Sequence, residues 1–341
     1  MNKYVNILGN FKKRHILVVG DLILDQYIKG TVERISPEAP VPILLQKEVF
    51  YTPGGAANVA NNLSSLGAKV TVVGRVGADV EGELLKEALK DRKIRISGIM
   101  EDSRVHTILK TRVVAHQQQV VRIDREKVVD DSDGRFYDDK IAPFIHKNFS
   151  DLDGVIISDY GKGIVQPPLV DDLTTLARKA GIPIVVDPKV EHLKFYGHVT
   201  SITPNRKEAE NALRSLEPDT RKSFGIVHTR LDSLDVVKKA GSGLLNYLGI
   251  DSLLITLGED GMCLLEEGKE PLHIPTRAQE VFDVSGAGDT VISVFTLALA
   301  AGAKKKEAAD IANHAAGIVV GKIGAAAVTM DELVRSLKGS S

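Results

Sequence analysis

The stretch VFDVSGAGDT, Val281–Thr290, sets two glycines around one alanine, with an acid on either side and a long apolar run directly after it. Gly286 and Gly288 let the backbone turn sharply and put no side chains in the way. A helix opening at about Ala287 points unpaired N–H groups, and the positive end of its dipole, into that turn. Such a cup suits a transferring phosphoryl group. Asp289 stands beside it, inside the first helical turn. A carboxylate next to phosphate oxygens is electrostatically awkward unless it accepts a proton from an attacking hydroxyl. Taken alone, Asp289 also reads as an ordinary helix-favouring acid.

Such a loop needs a scaffold, and the order of elements supplies one. HILVVG is a buried-type strand ending at Gly20. PGGAANVANNLSSLG puts Ala57, Ala60, Leu63 and Leu66 on one helical face and stops at Gly67. AKVTVVGRVG, GVIISD, IPIVVDP, VTSITP and DSLLITLG read as further strands, and VEGELLKEALKD, PPLVDDLTTLARKAG, NRKEAENALRSL and SLDVVKKAGSGLLNYLG as helices. Alternating short apolar strands and helices predict a doubly wound α/β fold, its mostly parallel sheet covered on both faces. Two regions, about 28–50 and 104–123, break the rhythm and predict antiparallel strands forming a small inserted β lid. The prolines of SPEAPVP are expected to hold a lid strand extended. With no linker or repeat, residues 1–341 read as one domain.

Composition excludes several classes. Lys plus Arg number 44 against 45 Asp plus Glu, a net charge of −1, so there is no field to recruit nucleic acid. The single cysteine, Cys263 in MCLLEE, reads as buried and inert and points to a reducing compartment. MNKYVNILGNFKKRH lacks the pattern of a signal peptide, and TVISVFTLALAA is too short for a membrane span. A cytoplasmic chain with no membrane partner is expected. The first strand runs into GDLILD, with Asp21 where a pyrophosphate loop needs glycine, so no G-x-G-x-x-G follows, and no G-x-x-x-x-G-K-[ST] occurs either.

The joint pattern resembles the ribokinase-like (PfkB) carbohydrate kinases. D-x-x-G-A-G-D is similar to their C-terminal signature, Gly54-Gly55-A-A-Asn58 to the N-terminal one, Asn205-R-K-Glu208 to N-x-x-E, and Thr256-L-Gly258-E-D-Gly261 to the nucleotide loop. By that resemblance Asp289 is the catalytic base, and the N–H groups of Gly286, Ala287 and Gly288 form the anion hole. Asp25, Gly54, Gly55 and Asn58 face the sugar. Lys189, Asn205, Thr256, Gly258, Gly261 and Asn313 border ATP. Glu208 lies near the water shell of Mg²⁺, and Asp283 and Ser285 fall where many relatives bind a monovalent cation such as K⁺. Each also has a plainer reading: Asp25 as a loop acid, Asn58 as a surface helix residue, Asn205 as an N-cap.

Arg34 to Ile43, Thr111 to Glu126, SDYGKG and D-P-K189 further resemble the bacterial heptose 7-phosphate kinases, the kinase half of a bifunctional kinase/nucleotidyltransferase. This implies ATP-dependent phosphorylation of the anomeric hydroxyl of D-glycero-β-D-manno-heptose 7-phosphate, a precursor step of lipopolysaccharide inner-core synthesis. It also implies a homodimer through the lid. The phosphate of such a sugar needs fixed cations. Arg34, Arg112, Arg122, Lys162 and Lys189 are the candidates, with Lys162 and Arg122 preferred; His116 reads as a polar lid residue. Two departures stand near the expected adenine pocket: GAAAV in place of a Gly-Thr pair, and Asn313-His314 in place of small residues. No nucleotidyltransferase domain is expected after the last helix. A kinase of another sugar or sugar phosphate (ribose, fructose phosphate) and a non-catalytic sensing module are the alternatives.

Overall fold

The structure, a computed structural model, describes residues 2–116, 118–127, 134–226, 228–278, 281–322 and 326–339. Gln117 of the Thr111–Glu126 stretch and residues 324–325 of the GAAAV departure lie outside them. Thirteen strands are described: β1 (His15–Gly20), β2 (Leu22–Ile35), β3 (Pro42–Gly55), β4 (Lys69–Val76), β5 (Arg95–Glu101), β6 (Ile108–Ala115), β7 (Gln118–Arg125), β8 (Gly154–Ser158), β9 (Ile184–Asp187), β10 (Ser201–Ile202), β11 (Ser252–Thr256), β12 (Met262–Glu266) and β13 (Leu272–Ile274).

Nine strands form one sheet in the order β13-β12-β11-β10-β9-β8-β1-β4-β5. All neighbours are parallel except the antiparallel edge of β11, β12 and β13. Val18 of β1 lies between Val72 and Ile156, all three fully buried, which is why these strands show no polar alternation. One core packs helices Ala56–Ser65, Ala287–Ala300 and Lys305–Val319 on one face; the other packs Pro167–Ala180, Arg206–Ser215 and Leu234–Leu248. Helix ends follow local chemistry: Pro167 and Pro168 open one helix and Gly181, in the left-handed region, closes it, while Gly249 closes another. Asn2–Asn10 is a helix that the sequence reading leaves unassigned, packing Ile7 and Leu8 into the first core. No helix among the described residues is long and apolar enough to cross a membrane.

From β1 the chain winds outward to β4 and β5, then returns to β8 and winds the other way, so the strand order reverses between β1 and β8. The carboxyl ends of strands flanking such a reversal are where open α/β sheets bind ligands. The two backbones close in there: a Cβ on Gly20 would lie 2.0 Å from the Ser158 carbonyl oxygen. Gly20 ends β1 because nothing larger fits.

The second sheet runs β3-β2-β6-β7. Its bounds differ from those expected, since β2 starts at Leu22 and β3 ends at Gly55. Asp25, Gly54 and Gly55 therefore sit in paired strands rather than loops, with Asp25 opposite Thr52 and Ile23 opposite Gly54. The arrangement is also not wholly antiparallel. β2 pairs parallel with β6, because β6 enters only after two strands of the main sheet and two helices have intervened. Pro37 and Pro40 do not extend a strand. They lie in the bend joining β2 to β3, closed by a Ser36 N–H to Val41 carbonyl bond of 2.9 Å, and only Pro42 enters β3.

Gly261 has φ +86, and a Cβ there would approach the Ile274 carbonyl oxygen to 2.1 Å. Gly261→Ala is expected to destabilise the fold by on the order of 2–4 kcal/mol, from left-handed strain plus the clash. Thermal unfolding measures it; an unchanged midpoint would remove the backbone argument.

Candidate active site

Asp289 is buried at the opening of helix Ala287–Ala300, 7% exposed. Asn58 Nδ2 donates to its Oδ2 at 2.6 Å and the Tyr160 hydroxyl to its Oδ1 at 3.1 Å. Burial pushes its pKa from 3.8 up to about 6; these two donors pull the other way, and nearby Asp25 adds to the rise. Asn58 is not a surface residue. Its helix is buried on several sides, and a polar seam joins it to the Asp289 helix. Thr290 Oγ1 donates to Asn62 Oδ1, Asn62 Nδ2 to the Asn58 carbonyl, and Ser293 Oγ lies within hydrogen-bond distance of the carbonyls of Val59 and Asp289. Asn58 Oδ1 is buried with no hydrogen-bond partner among the described residues.

The turn before the helix has Gly286 at φ 78. The Ala287 N–H donates to the Val284 carbonyl at 3.2 Å, so that donor is engaged within the turn. A Cβ on Gly288 would meet nothing within 4 Å. Gly288 faces a cleft of about 700 Å³ whose lining includes Thr256, Gly258, Gly261, Ala287, Asn313 and Val320. Four of the six expected nucleotide-border residues, Thr256, Gly258, Gly261 and Asn313, converge there. Asn313 is spent on its wall, donating to the Pro275 carbonyl at 2.6 Å, while His314 turns away to Ser336 at 2.8 Å. Close packing also fixes Gly317, where a Cβ would come within 2.9 Å of the Arg277 backbone.

Lys189, Asn205 and Glu208 line a neighbouring cleft of about 650 Å³. Asn205 is an N-cap after all, in a capping box: Glu208 N–H donates to Asn205 Oδ1 at 2.9 Å, and Asn205 N–H to Glu208 Oε2 at 2.8 Å. Burial raises the Glu208 pKa against those bonds. Asp187, at the end of β9, is raised well above the usual carboxylate range by burial and then by the charges of Asp289, Glu208 and Asp159. Among the described residues no group of three or more His, Cys, Asp or Glu is close enough to hold a metal directly. Asp283 Oδ1 accepts the Ser285 N–H at 2.8 Å in the loop before the helix.

On the side of the small sheet, Asp25 is buried and accepts from Arg112 at 2.6 Å. Gly54 is required there, since a Cβ would lie 2.7 Å from the Asp25 carboxylate; Gly55, at φ +55, would meet the Asp21 carbonyl at the same distance. Arg122 is engaged by Asp124 at 2.9 Å, and Lys162 by Glu126 at 2.6 Å. Arg34 lies exposed nine residues along β2 from Asp25, and His116 is an exposed residue at φ 48 that caps the β6–β7 turn against the Val32 carbonyl.

Sequence reasoning passes over Tyr160, Asp187 and Asp21. The first two stand inside quoted motifs, where attention falls on the lysines. Asp21, noted only as a missing glycine, accepts N–H groups of Tyr160 at 2.9 Å and Lys162 at 3.0 Å and so shapes the loop after β8. Asp159 ties the same loop onward to Tyr196 at 2.6 Å and His192 at 2.7 Å.

A pfkB family carbohydrate kinase model matches residues 13–332. Curated relatives include proteins named bifunctional protein HldE from Desulfatibacillum aliphaticivorans, 43% identical over 96% of this chain, and from Citrifermentans bemidjiense, 45% identical over 93%. The chain spans 64% and 62% of those two proteins. Among solved structures, Escherichia coli phosphofructokinase-2 in complex with potassium superposes with a TM-score of 0.76 at 20% identity, covering 96% of this chain and 99% of that one. Arabidopsis thaliana ribokinase complexed with ribose and ATP gives 0.69 at 19% identity, covering 95% and 98%. These two share the fold.

Two predictions follow from the Asp289 geometry. Tyr160→Phe removes a donor to the charged carboxylate but keeps the backbone N–H that serves Asp21. The acid limb of the turnover profile, expected near pH 6, should therefore move upward; a limb that stays put or moves down refutes the contact. Because the folded pKa lies above 3.8, ionised Asp289 costs stability above about pH 6, and the cost fades as pH falls towards 4. Asp289→Asn should thus stabilise the protein by about 1–3 kcal/mol at pH 8 and show little gain at pH 4 in thermal melts.

Proposed function

Because the chain belongs to the pfkB family of carbohydrate kinases, we propose that it transfers the γ-phosphate of ATP to the anomeric hydroxyl of D-glycero-β-D-manno-heptose 7-phosphate, giving the 1,7-bisphosphate. The observation that carries the chemistry is a desolvated carboxylate, Asp289, held by Asn58 and Tyr160 at a helix opening that borders a nucleotide-sized cleft. The choice of sugar rests on the stretches Arg34–Ile43, Thr111–Glu126, SDYGKG and DPK, and on the 43–45% identity to the HldE proteins.

Asp25, fixed by Arg112, takes the sugar hydroxyls, and Asn58 offers its unpartnered Oδ1 on the same side. Asp289 removes the proton of the attacking hydroxyl as the phosphoryl group arrives. The N–H groups of Gly286 and Gly288 and the helix dipole hold the charge on its oxygens, with the Ala287 N–H joining once the turn loosens its bond to Val284. ATP lies between Thr256, Gly258, Gly261 and Asn313, its phosphates reaching Lys189 and Asn205. The small sheet acts as a lid that excludes water.

Magnesium fits this acid set. The Asp187 carboxylate has no hydrogen-bond partner among the described residues and faces the charges of Glu208 and Asp289, hard oxygen donors, with Lys189 acting on Glu208. Asp187 and Glu208 would hold Mg²⁺ through water, and the ion would neutralise charge on the transferring phosphate. Asp283 and Ser285 are the candidates for a K⁺ site.

Asn58, Asp289 and the lid strands sit within one chain, yet the lid also leaves Tyr51, Val49, Val121 and Ile123 exposed. Gln26 and Thr111 pair with Tyr51 and Ile123 on that face, as Ile28 and Val113 do with Val49 and Val121. This apolar face supports a homodimer through the lid. Phe50 stacks on Tyr27 with ring centroids 4.9 Å apart, on the opposite face.

Asp289→Asn should lower kcat on the order of 10²–10⁴-fold while nucleotide binding is retained; wild-type turnover would remove the base. An ADP-release assay across sugars, with and without a terminal phosphate, is expected to favour heptose 7-phosphate, and equal rates on ribose or fructose phosphates would shift the substrate. Val121→Asp with Ile123→Asp should convert a dimer to a monomer in sedimentation at micromolar concentration. A monomeric wild type would discard the lid interface.

A further inference from the structure

The face of the small sheet that carries Asp25 holds a row of charges set by strand register. Asp25 lies opposite Lys110, and Lys110 opposite Asp124; beside that row Tyr27 lies opposite Arg112, and Arg112 opposite Arg122. Side chains directly opposite across neighbouring strands share a face. Three ion pairs account for most of these groups: Arg112 with Asp25 at 2.6 Å, Arg122 with Asp124 at 2.9 Å, and Lys162 with Glu126 at 2.6 Å. One cation of the cluster is left over. Lys110 is half-buried and its ammonium has no hydrogen bond or ion pair among the described residues, although Asp124, Arg122, Glu126 and Lys162 all act on it electrostatically.

An ammonium that gives up water and gains no partner costs free energy. Burial is the first cause that lowers the Lys110 pKa, and the neighbouring Arg122 and Lys162 charges lower it further, while Asp124 and Glu126 oppose them. A dianion arriving among Lys110, Arg122 and Lys162 would offset that cost and form charge-assisted hydrogen bonds. The position suits the far end of a sugar whose reacting end lies at Asp289, since Asp25 stands between the two and its charge reaches Asp289.

Resting on the phosphosugar kinase reading above, we infer that Lys110 is the principal donor to the terminal phosphate of the sugar and sets the preference for a phosphorylated over an unphosphorylated acceptor. Lys162 and Arg122, already committed to Glu126 and Asp124, flank the phosphate and contribute less.

The test uses the full chain with Lys110→Met, and Lys47→Met, an exposed lysine on β3, as the control. With saturating Mg-AMP-PNP filling the nucleotide cleft, inorganic phosphate is titrated by calorimetry. Wild type and the control are expected to bind it, and Lys110→Met to bind about tenfold or more weakly, the loss of one charge-assisted bond. In initial rates, Lys110→Met should raise KM for heptose 7-phosphate about 10–100-fold with kcat nearly unchanged, and leave kcat/KM for unphosphorylated heptose as in wild type. Phosphate bound equally by Lys110→Met and wild type, or by neither, overturns the inference, as does an equal loss on both sugars. If the wild type does not turn over heptose 7-phosphate while phosphate binding still depends on Lys110, the choice of sugar fails and the anion site stands.

Discussion

Asp289 must be dry to be useful, and dryness is what the surrounding architecture supplies. A carboxylate taken out of water needs donors, and its two come from Asn58, 231 residues away in sequence, and Tyr160, 129 away. Each donor has to be rigid for the contact to be worth its cost. Asn58 is rigid because Ala56, Ala57, Val59, Ala60 and Leu63 of its helix are all fully buried. Tyr160 is rigid because Asp21 and Asp159 hold the backbone on either side of it. The parallel sheet is the device that brings β1, β8 and the two helices to one point, and Gly20 is the residue that lets β1 and β8 come close enough.

That dependence explains what the sequence disclosed and what it withheld. The strands and helices of the main sheet were legible because burial on both faces leaves continuous apolar runs, and because prolines and glycines mark helix ends. The helix opening at Ala287 and the cleft lined by Thr256, Gly258, Gly261 and Asn313 follow from Gly286, Gly258 and Gly261, whose positive φ values strain any other residue. Tyr160 was invisible for a different reason. Nothing in its neighbourhood along the chain distinguishes it from any loop tyrosine, and its role exists only because Asp289 lies across the sheet reversal. Asn58 was ambiguous likewise, since a helix with Asn58 and Asn62 on it looks half-solvated until the seam to Thr290 and Ser293 is seen.

Cations were the hardest to place. Charged side chains near strand ends carry no periodicity that says which way they point, so five candidates stood together with Lys162 and Arg122 preferred. Pairing separates them: Arg112 serves Asp25, Arg122 serves Asp124, and Lys162 serves Glu126. Lys110, two residues before Arg112 in the same strand HTILKTRVVAH, was absent from the candidates. Only the parallel register of β2 with β6, which pattern alone did not predict, sets it against Asp25.

The small sheet shows how one strand pattern serves two demands. A period of two sends alternate residues to opposite faces, so the Asp25, Lys110, Asp124 row necessarily leaves Gln26, Thr111 and Ile123 on the other side. The first face is polar, and the charge of its Asp25 acts on Asp289. The second carries Val49, Tyr51, Val121 and Ile123 in the open, which a four-stranded sheet cannot bury by itself. Any shift of register by one residue would exchange the two faces, placing valines against Asp289 and charges on the exposed side. The Thr111 to Gln26 to Tyr51 hydrogen-bond string, at 2.7 and 3.0 Å, crosses three strands on the outer face and opposes such a slip. Fixing the outer face therefore also fixes which charges share the face of Asp25.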